Sequence, residues 1–243
     1  MNYLRAGKNW VHVGGRAVLY GTISVGLGGV TGRHDVGQWC MRSWCEGSLR
    51  GLGIRHHLRN GDLLEREPQC VYVANHLSQL DILVIGSHLR RDYRWLAKSS
   101  LFKIPFLGWH LSLSGHVPVY RGEHRNKNEA LAQRIHAVVK QGASLLFFPE
   151  GTRSRDGNLQ RFHIGAFRTA VRESLPVVPL VVKGTHELFV RGARDLSVHA
   201  DRECSLTALP AVHAPAQGDD KSRAQSLLEI THAAFVEELS KDP

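Results

Sequence analysis

Apolar positions in this chain gather into short runs separated by stretches of helical spacing. Cys70-Val71-Tyr72-Val73-Ala74 and Ala143-Ser144-Leu145-Leu146-Phe147-Phe148 are rich in β-branched and aromatic residues, the pattern of buried strands. The same pattern predicts strands at Ile54–Leu58, Tyr93–Ala97, Val117–Tyr120 and Val177–Val182, and a late one near Cys204–Ala208. Helices are predicted from about Gln79, over Lys127–Lys140 and over Gly165–Arg172. A closing amphipathic helix over Ser222–Leu239 places Leu227, Leu228, Ile230, Phe235 and Leu239 at apolar positions, after a Pro-, Ala- and Gly-rich loop at Pro210–Asp220. Strand and helix alternate without a linker or internal repeat. That order predicts an α/β fold, with a single mixed, largely parallel sheet flanked by helices on both faces. Pro118 removes a backbone donor, so its strand is expected at an edge or bulged.

The N-terminus has a different pattern. No charged side chain occurs from Ala17 to Gly32, yet as a helix at 1.5 Å per residue this run reaches only about 24 Å, short of the ~30 Å hydrocarbon core. Gly21, Gly26, Gly28 and Gly29 weaken it as an isolated helix, and Arg16 and Arg33 bracket it. Val36–Leu52, with Trp39 and Trp44, reads as a second helix suited to an interface. Residues 1–53 are therefore expected to form an N-terminal membrane-docking helical hairpin and residues 54–243 an α/β domain. The structural alternative is a hairpin packed on the protein's own core. Arg5, Lys8 and Arg16 would suit the positive region of a secretory signal peptide, but no A-x-A-like cleavage site follows them.

Candidate chemistry sits where two predicted strands end. After the first comes Asn75-His76-Leu77-Ser78-Gln79-Leu80-Asp81. Residues five apart on an ideal helix lie about 140° from each other, so His76 and Asp81 can pair only if His76 is in the loop. Ser78 as helix cap, with Asp81 in the first turn, would start the helix after His76 and leave its imidazole free to fold back. Asp81 would then orient the ring while its other nitrogen takes a proton from a hydroxyl. This is a dyad without an enzyme nucleophile, so the substrate's own alcohol would attack an acyl carbonyl. In a chain with 15 histidines the spacing alone is weak, and a plain helix cap beside a loop histidine explains it equally well. After the second strand comes Phe148-Pro149-Glu150-Gly151-Thr152-Arg153-Ser154, at the position where ligands collect in open α/β sheets. There Gly151 permits a tight turn, Glu150 offers an acceptor for a substrate hydroxyl and Arg153 a fork suited to phosphate.

Four blocks in order resemble the glycerolipid acyltransferases typified by 1-acyl-glycerol-3-phosphate acyltransferase. They are Asn75–Asp81, Gly115–Arg121, Phe148–Ser154 and Val178–Gly184, with Ala97–Trp109 similar to the family's connecting segment. The resemblance implies that His76 is the general base and Asp81 its orienting partner. It further implies that Arg121, Glu150, Gly151, Thr152 and Arg153 bind the phosphorylated glycerol acceptor, with Lys98 as a further cation or else a strand-end lysine in solvent. The family's Phe-Lys-x-Gly is here Phe162-His163-Ile164-Gly165, which replaces a permanent cation by an imidazole. The implied reaction carries an acyl group from acyl-CoA or acyl-carrier protein to the free hydroxyl of a lysophospholipid, 1-acyl-glycerol-3-phosphate being favoured, and so yields phosphatidic acid. The oxyanion is expected to be met by backbone N–H groups near a helix start. Water in place of the alcohol would give a thioesterase or lysophospholipase, a lyso-aminolipid is another possible acceptor, and a non-catalytic membrane-binding module is the third reading.

Composition narrows the partners. Net charge +9 and a pI near 9.7 favour an anionic surface, with phospholipid, acidic carrier protein and nucleic acid as candidates. No nucleic-acid-binding signature occurs and the basic residues are spread along the chain, so no nucleic acid is expected. Cys40, Cys45, Cys70 and Cys204 show no C-x-x-C spacing and the histidines no H-E-x-x-H, so neither a metal nor a cofactor beyond the thioester donor is expected. Basic residues favour the cytoplasmic leaflet, and few cysteines fit a reducing compartment. The expected location is the cytoplasmic face of a bacterial inner membrane.

Overall fold

The computed structural model describes residues 3–28, 34–120, 130–188, 198–199 and 203–241. Its strands are β1 (Arg55–Arg59), β2 (Val71–Ala74), β3 (Tyr93–Lys98), β4 (Val117–Val119), β5 (Ser144–Phe147), β6 (Val177–Lys183) and β7 (Glu203–Ala208). Among the described residues they form one sheet in the order β1-β7-β6-β2-β5-β3-β4. Every neighbouring pair is parallel except β6 with β7. The expected mixed, largely parallel sheet is therefore present. β4, which carries Pro118, is the outermost strand and pairs only with β3. An edge strand can spare the missing donor.

Helices cover both faces. Those beyond the N-terminal region are α4 (Leu80–His88), α5 (Leu107–Leu113), α6 (Leu131–Lys140), α7 (Gly165–Arg172), α8 (Thr185–Leu188) and α9 (Asp220–Ser240). The central strands point alternate residues to opposite sides. Tyr72 and Ala74 of β2 join Leu83, Val84 and Ile85 of α4 in one cluster, and Val71 and Val73 join Phe167 of α7 and Phe235 of α9 in the other. Burial on both faces explains why β2 and β6 read as continuous apolar runs rather than alternating ones. The closing helix starts two residues earlier than its periodicity suggested because Asp219 caps it, accepting the Ser222 N–H at 2.7 Å. The helix expected from Lys127 is described only from Leu131. Its predicted start lies outside the described residues.

In the N-terminal region, α1 (Tyr3–Trp10) and α2 (Arg16–Ile23) are followed by π-helical stretches at Val11–Gly15 and Ser24–Gly28. Both stretches contain glycine, where the backbone is least committed to α geometry. The next helix, α3 (His34–Leu52), buries Met41, Cys45, Leu49 and Leu52 in the cluster on the α4 side of the sheet. Gly47 and Gly51 let α1–α2 approach it closely: a Cβ on Gly47 would lie 2.6 Å from Arg16 Nε, and one on Gly51 2.5 Å from His12 Cγ. The Trp44 indole N–H donates to the Val13 carbonyl at 3.0 Å across the same contact. Among the described residues no helix is long and apolar enough to cross a membrane.

Candidate active site

Three parallel neighbours, β6, β2 and β5, end side by side, and the segments that follow them build the site. His76 leaves β2 in an extended loop before α4, as the pairing requires. Ser78 Oγ accepts the Leu80 N–H at 3.3 Å, and Asp81 reaches back from the first turn of α4 to accept the N–H groups of Ser78 and Leu77 at 2.9 and 2.7 Å. The helix is capped at Gln79 without a side-chain bond, one residue after the expected Ser78, and the Leu77 and Ser78 N–H groups are what fix Asp81. The same oxygen, Oδ2, lies 2.8 Å from His76 Nδ1. With Asp81 as acceptor, Nδ1 carries the hydrogen and Nε2 is left with its lone pair as a base. Asp81 is fully buried, while the His76 side chain is 16% exposed, enough to meet a substrate. Phe148 stacks on the imidazole at 4.2 Å between ring centroids and holds its plane.

The turn after β5 grips the His76 loop from the other side. Glu150 Oε1 accepts the His76 N–H at 2.7 Å, and the His76 carbonyl accepts the Ser154 N–H at 2.8 Å. The other Glu150 oxygen accepts the Gln160 N–H at 3.3 Å. Glu150, the carboxylate expected to take a substrate hydroxyl, is buried and ties two segments of backbone to each other. Gly151 turns the chain at φ +70°, a conformation that favours glycine, and its N–H returns to the Phe148 carbonyl at 3.1 Å. Thr152 is exposed and Arg153 half-buried in this turn. Lys98 is exposed at the end of β3, in register with Val119 of β4. Arg121 lies outside the described residues. Among the described residues no three His, Cys, Asp or Glu side chains converge as a metal site.

Burial pushes the Glu150 carboxyl up to about 7, against the N–H groups of His76 and Gln160, which pull it down, and the nearby Asp81 charge adds to the rise. A carboxyl raised in this way favours folding most when protonated. Its contribution is complete below pH about 4.5 and is lost as pH rises through about 7, an effect on the order of 3 kcal/mol. Glu150→Gln should therefore flatten the fall in melting temperature across that interval, read by calorimetry on both proteins. A variant with the wild-type pH slope would assign the slope to other groups.

One residue of the site was not foreseen. Thr185 opens α8 directly after the β6 segment, is fully buried, and donates its hydroxyl to Asp81 Oδ1 at 2.5 Å. The available signal was a hydroxyl immediately after the fourth block, at the end of a strand beside β2. Thr185→Val keeps the shape and removes the donor, so we expect kcat to fall about tenfold with substrate KM values unchanged and Thr185→Ser to restore most of the loss. A fall in stability with no change in kcat would make the hydroxyl merely structural. Three N–H groups near the start of α4 are taken up within the loop itself. The N–H groups of Leu77, Ser78 and Leu80 at the helix start are already bonded to Asp81 and to Ser78 Oγ.

A family model for acyltransferases matches residues 55–183, more than half of the chain. The chloroplastic 1-acyl-sn-glycerol-3-phosphate acyltransferase BAT2 of Brassica napus is 41% identical over 140 residues, covering 58% of this chain and 40% of that protein. The 1-acyl-sn-glycerol-3-phosphate acyltransferase of Saccharomyces cerevisiae is 33% identical over 173 residues, covering 70% and 57%. This chain thus spans less than two thirds of either relative. The crystal structure of the 1-acyl-sn-glycerophosphate acyltransferase PlsC from Thermotoga maritima superposes with a TM-score of 0.81 at 19% identity, over 100% of this chain and 98% of that one, which shows a shared fold. With the matched region enclosing the His76–Asp81 loop, the Glu150 turn and β6, the chain belongs to the acyltransferase family.

Proposed function

We propose that the protein transfers an acyl group from a thioester, acyl-CoA or acyl-carrier protein, to the free hydroxyl of 1-acyl-glycerol-3-phosphate, giving phosphatidic acid. The observation that carries this reading is the His76–Asp81 pair at 2.8 Å, its ring stacked on Phe148 and Nε2 with no hydrogen bond to any described residue. Nε2 removes the hydroxyl proton as the oxygen attacks the thioester carbon. The new C–O bond forms, the C–S bond breaks, and the imidazolium returns its proton to the departing thiolate. Ser78 Oγ accepts the Leu80 N–H, and the Ser154 hydroxyl donates to Asp156. The described cysteines are all buried, with burial pushing their thiols up. This favours direct attack by the acceptor over a covalent enzyme intermediate. Arg153, Lys98 and Arg121 supply cations for the acceptor phosphate, with Gly151 and Thr152 shaping the turn around it. The step as written draws on no metal and no cofactor besides the donor.

The membrane reading rests on exposed side chains. Trp10, Val11, Val18, Leu19 and Leu27 of the N-terminal helical segment, Trp39 of α3, and Ile104, Trp109 and Leu113 around α5 are all exposed. The two groups meet where Gly21 packs against Phe106. We infer that residues 1–53 dock on a phospholipid surface, with α3 joining them to the catalytic domain of residues 54–243. The net charge of +9 suits anionic lipid, and together with four free cysteines it favours the cytoplasmic face of a bacterial inner membrane.

Purified protein incubated with acyl-CoA or acyl-carrier protein and a panel of lysolipids, with products read by mass spectrometry, tests the assignment. Phosphatidic acid formed by the wild type and not by His76→Ala is the expected result. Free fatty acid released at the same rate without acceptor would identify a hydrolase, and a different preferred lysolipid would reassign the acceptor.

A further inference from the structure

On the face of the sheet away from α3 and α4, an open groove of about 660 Å³ runs between the loop at Arg161–Ile164 and α9. Arg161 and His163 form one wall, and Gln225, Leu228, Glu229 and His232 the other. Phe162 makes the floor, its ring meeting His232 edge to face at 5.0 Å. The volume falls in the range of small-molecule sites, and the lining combines apolar surface with a few polar groups.

One wall of the groove is bonded to the turn after β5. His163 N–H donates to the Pro149 carbonyl at 2.9 Å, and the His163 ring lies over Gly151, so that a Cβ there would be 3.2 Å from Cδ2. One residue before the groove, the Gln160 N–H holds Glu150, whose other oxygen holds the His76 N–H. The loop that lines the groove is therefore tied through Glu150 to the loop that carries His76. Position adds a second constraint. The exposed tryptophans, Trp10, Trp39 and Trp109, belong to the N-terminal helical segment, α3 and α5, which pack on the other face, whereas α9 exposes Ile230 and Val236 but no tryptophan. The groove belongs to the α7–α9 face. A substrate whose acyl chain enters from the lipid side and whose polar carrier stays in water would run from one face to the other past His76.

Charge supplies the third element. One guanidinium and two imidazoles face a single carboxylate, Glu229, and the Arg161 and His163 side chains make no hydrogen bond or ion pair with any described residue. We infer that this groove receives the phosphate-bearing pantetheine arm of the thioester donor, with Arg161 and His163 on its phosphate and the apolar floor under the pantetheine chain. The inference rests on the acyl-transfer reading above and adds to it a donor subsite distinct from the Arg153 turn. Acyl-CoA and acyl-carrier protein share this arm.

The test uses the full chain in detergent micelles with lysophosphatidate, each thioester donor in turn, and two variants of opposite charge effect. Arg161→Glu should raise the donor KM roughly tenfold or more. Glu229→Gln should lower it, a gain that misfolding cannot produce. The acceptor KM should not move in either. Free 4′-phosphopantetheine should compete with the donor in the wild type and lose potency in Arg161→Glu. Donor KM values unchanged in both variants, or an acceptor KM that moves instead, would overturn the proposal. So would a shift confined to acyl-CoA with no competition by 4′-phosphopantetheine, since that places the nucleotide end in the groove. If the wild type makes no acylated product from either donor, the acyl-transfer reading fails by itself. The groove is then judged by calorimetric titration with 4′-phosphopantetheine, where binding lost in Arg161→Glu supports it and no binding to the wild type ends it.

Discussion

His76→Ala should lower kcat for phosphatidate formation by about a thousandfold and leave both KM values within a few-fold of wild type. The reason for so selective an effect is that the backbone of residue 76 does as much structural work as its ring. Its N–H is held by Glu150 and its carbonyl by the Ser154 N–H, and alanine keeps both bonds. Asp81 loses one partner and keeps three, the N–H groups of Leu77 and Ser78 and the Thr185 hydroxyl, so no buried charge is stranded. What is lost is the proton acceptor and a ring stacked on Phe148. Initial rates with product read by mass spectrometry, beside melting curves of both proteins, check the claim. A variant retaining a third or more of wild-type kcat would remove His76 from the role of base.

How much of this was legible in the sequence depends on the distance over which each feature is determined. The strands β2, β5 and β6 were visible because burial on both faces leaves unbroken apolar runs. The His76–Asp81 contact was visible because both residues and the cap between them lie within one short loop, where spacing and helix geometry are enough. Thr185 stands 104 residues from Asp81, and only the adjacency of β6 and β2 brings them together. The N–H partners of Glu150 could not be read from the sequence, because Gln160 lies ten residues on and His76 seventy-four residues back. A carboxylate at a strand end looks available until the fold shows which N–H groups reach it first. α5 was missed because Trp109 and Leu113 are apolar yet exposed, which blurs the period a buried face would show. The second N-terminal helix was expected at an interface. It turns Met41, Cys45 and Leu49 to the core while keeping Trp39 exposed, a division that its mixed apolar and polar pattern does not reveal.

Asp81→Ala should be more damaging than His76→Ala, because it removes fold and chemistry together. One buried carboxylate accepts from His76 Nδ1, Leu77 N–H, Ser78 N–H and the Thr185 hydroxyl. Alanine leaves the two backbone donors without partners inside the protein, at about 1–3 kcal/mol each, and frees the start of α4 along with the loop that carries the base. We expect a loss on the order of 3–5 kcal/mol in stability and no detectable turnover. Asp81→Asn separates the two effects. Its amide oxygen can occupy the Oδ2 position and accept all three N–H groups, and its NH2 can donate to the Thr185 hydroxyl once that hydroxyl turns, since a threonine oxygen accepts as well as donates. The loop, the cap and the tautomer of His76 then survive, and only the negative charge facing the imidazolium disappears. Asparagine should therefore melt close to wild type yet lose about a hundredfold or more in kcat, a stable protein with a weakened base. Near wild-type turnover in that variant would mean that Asp81 acts only as a helix cap, and the proton would have to be held by some group other than the His76–Asp81 pair.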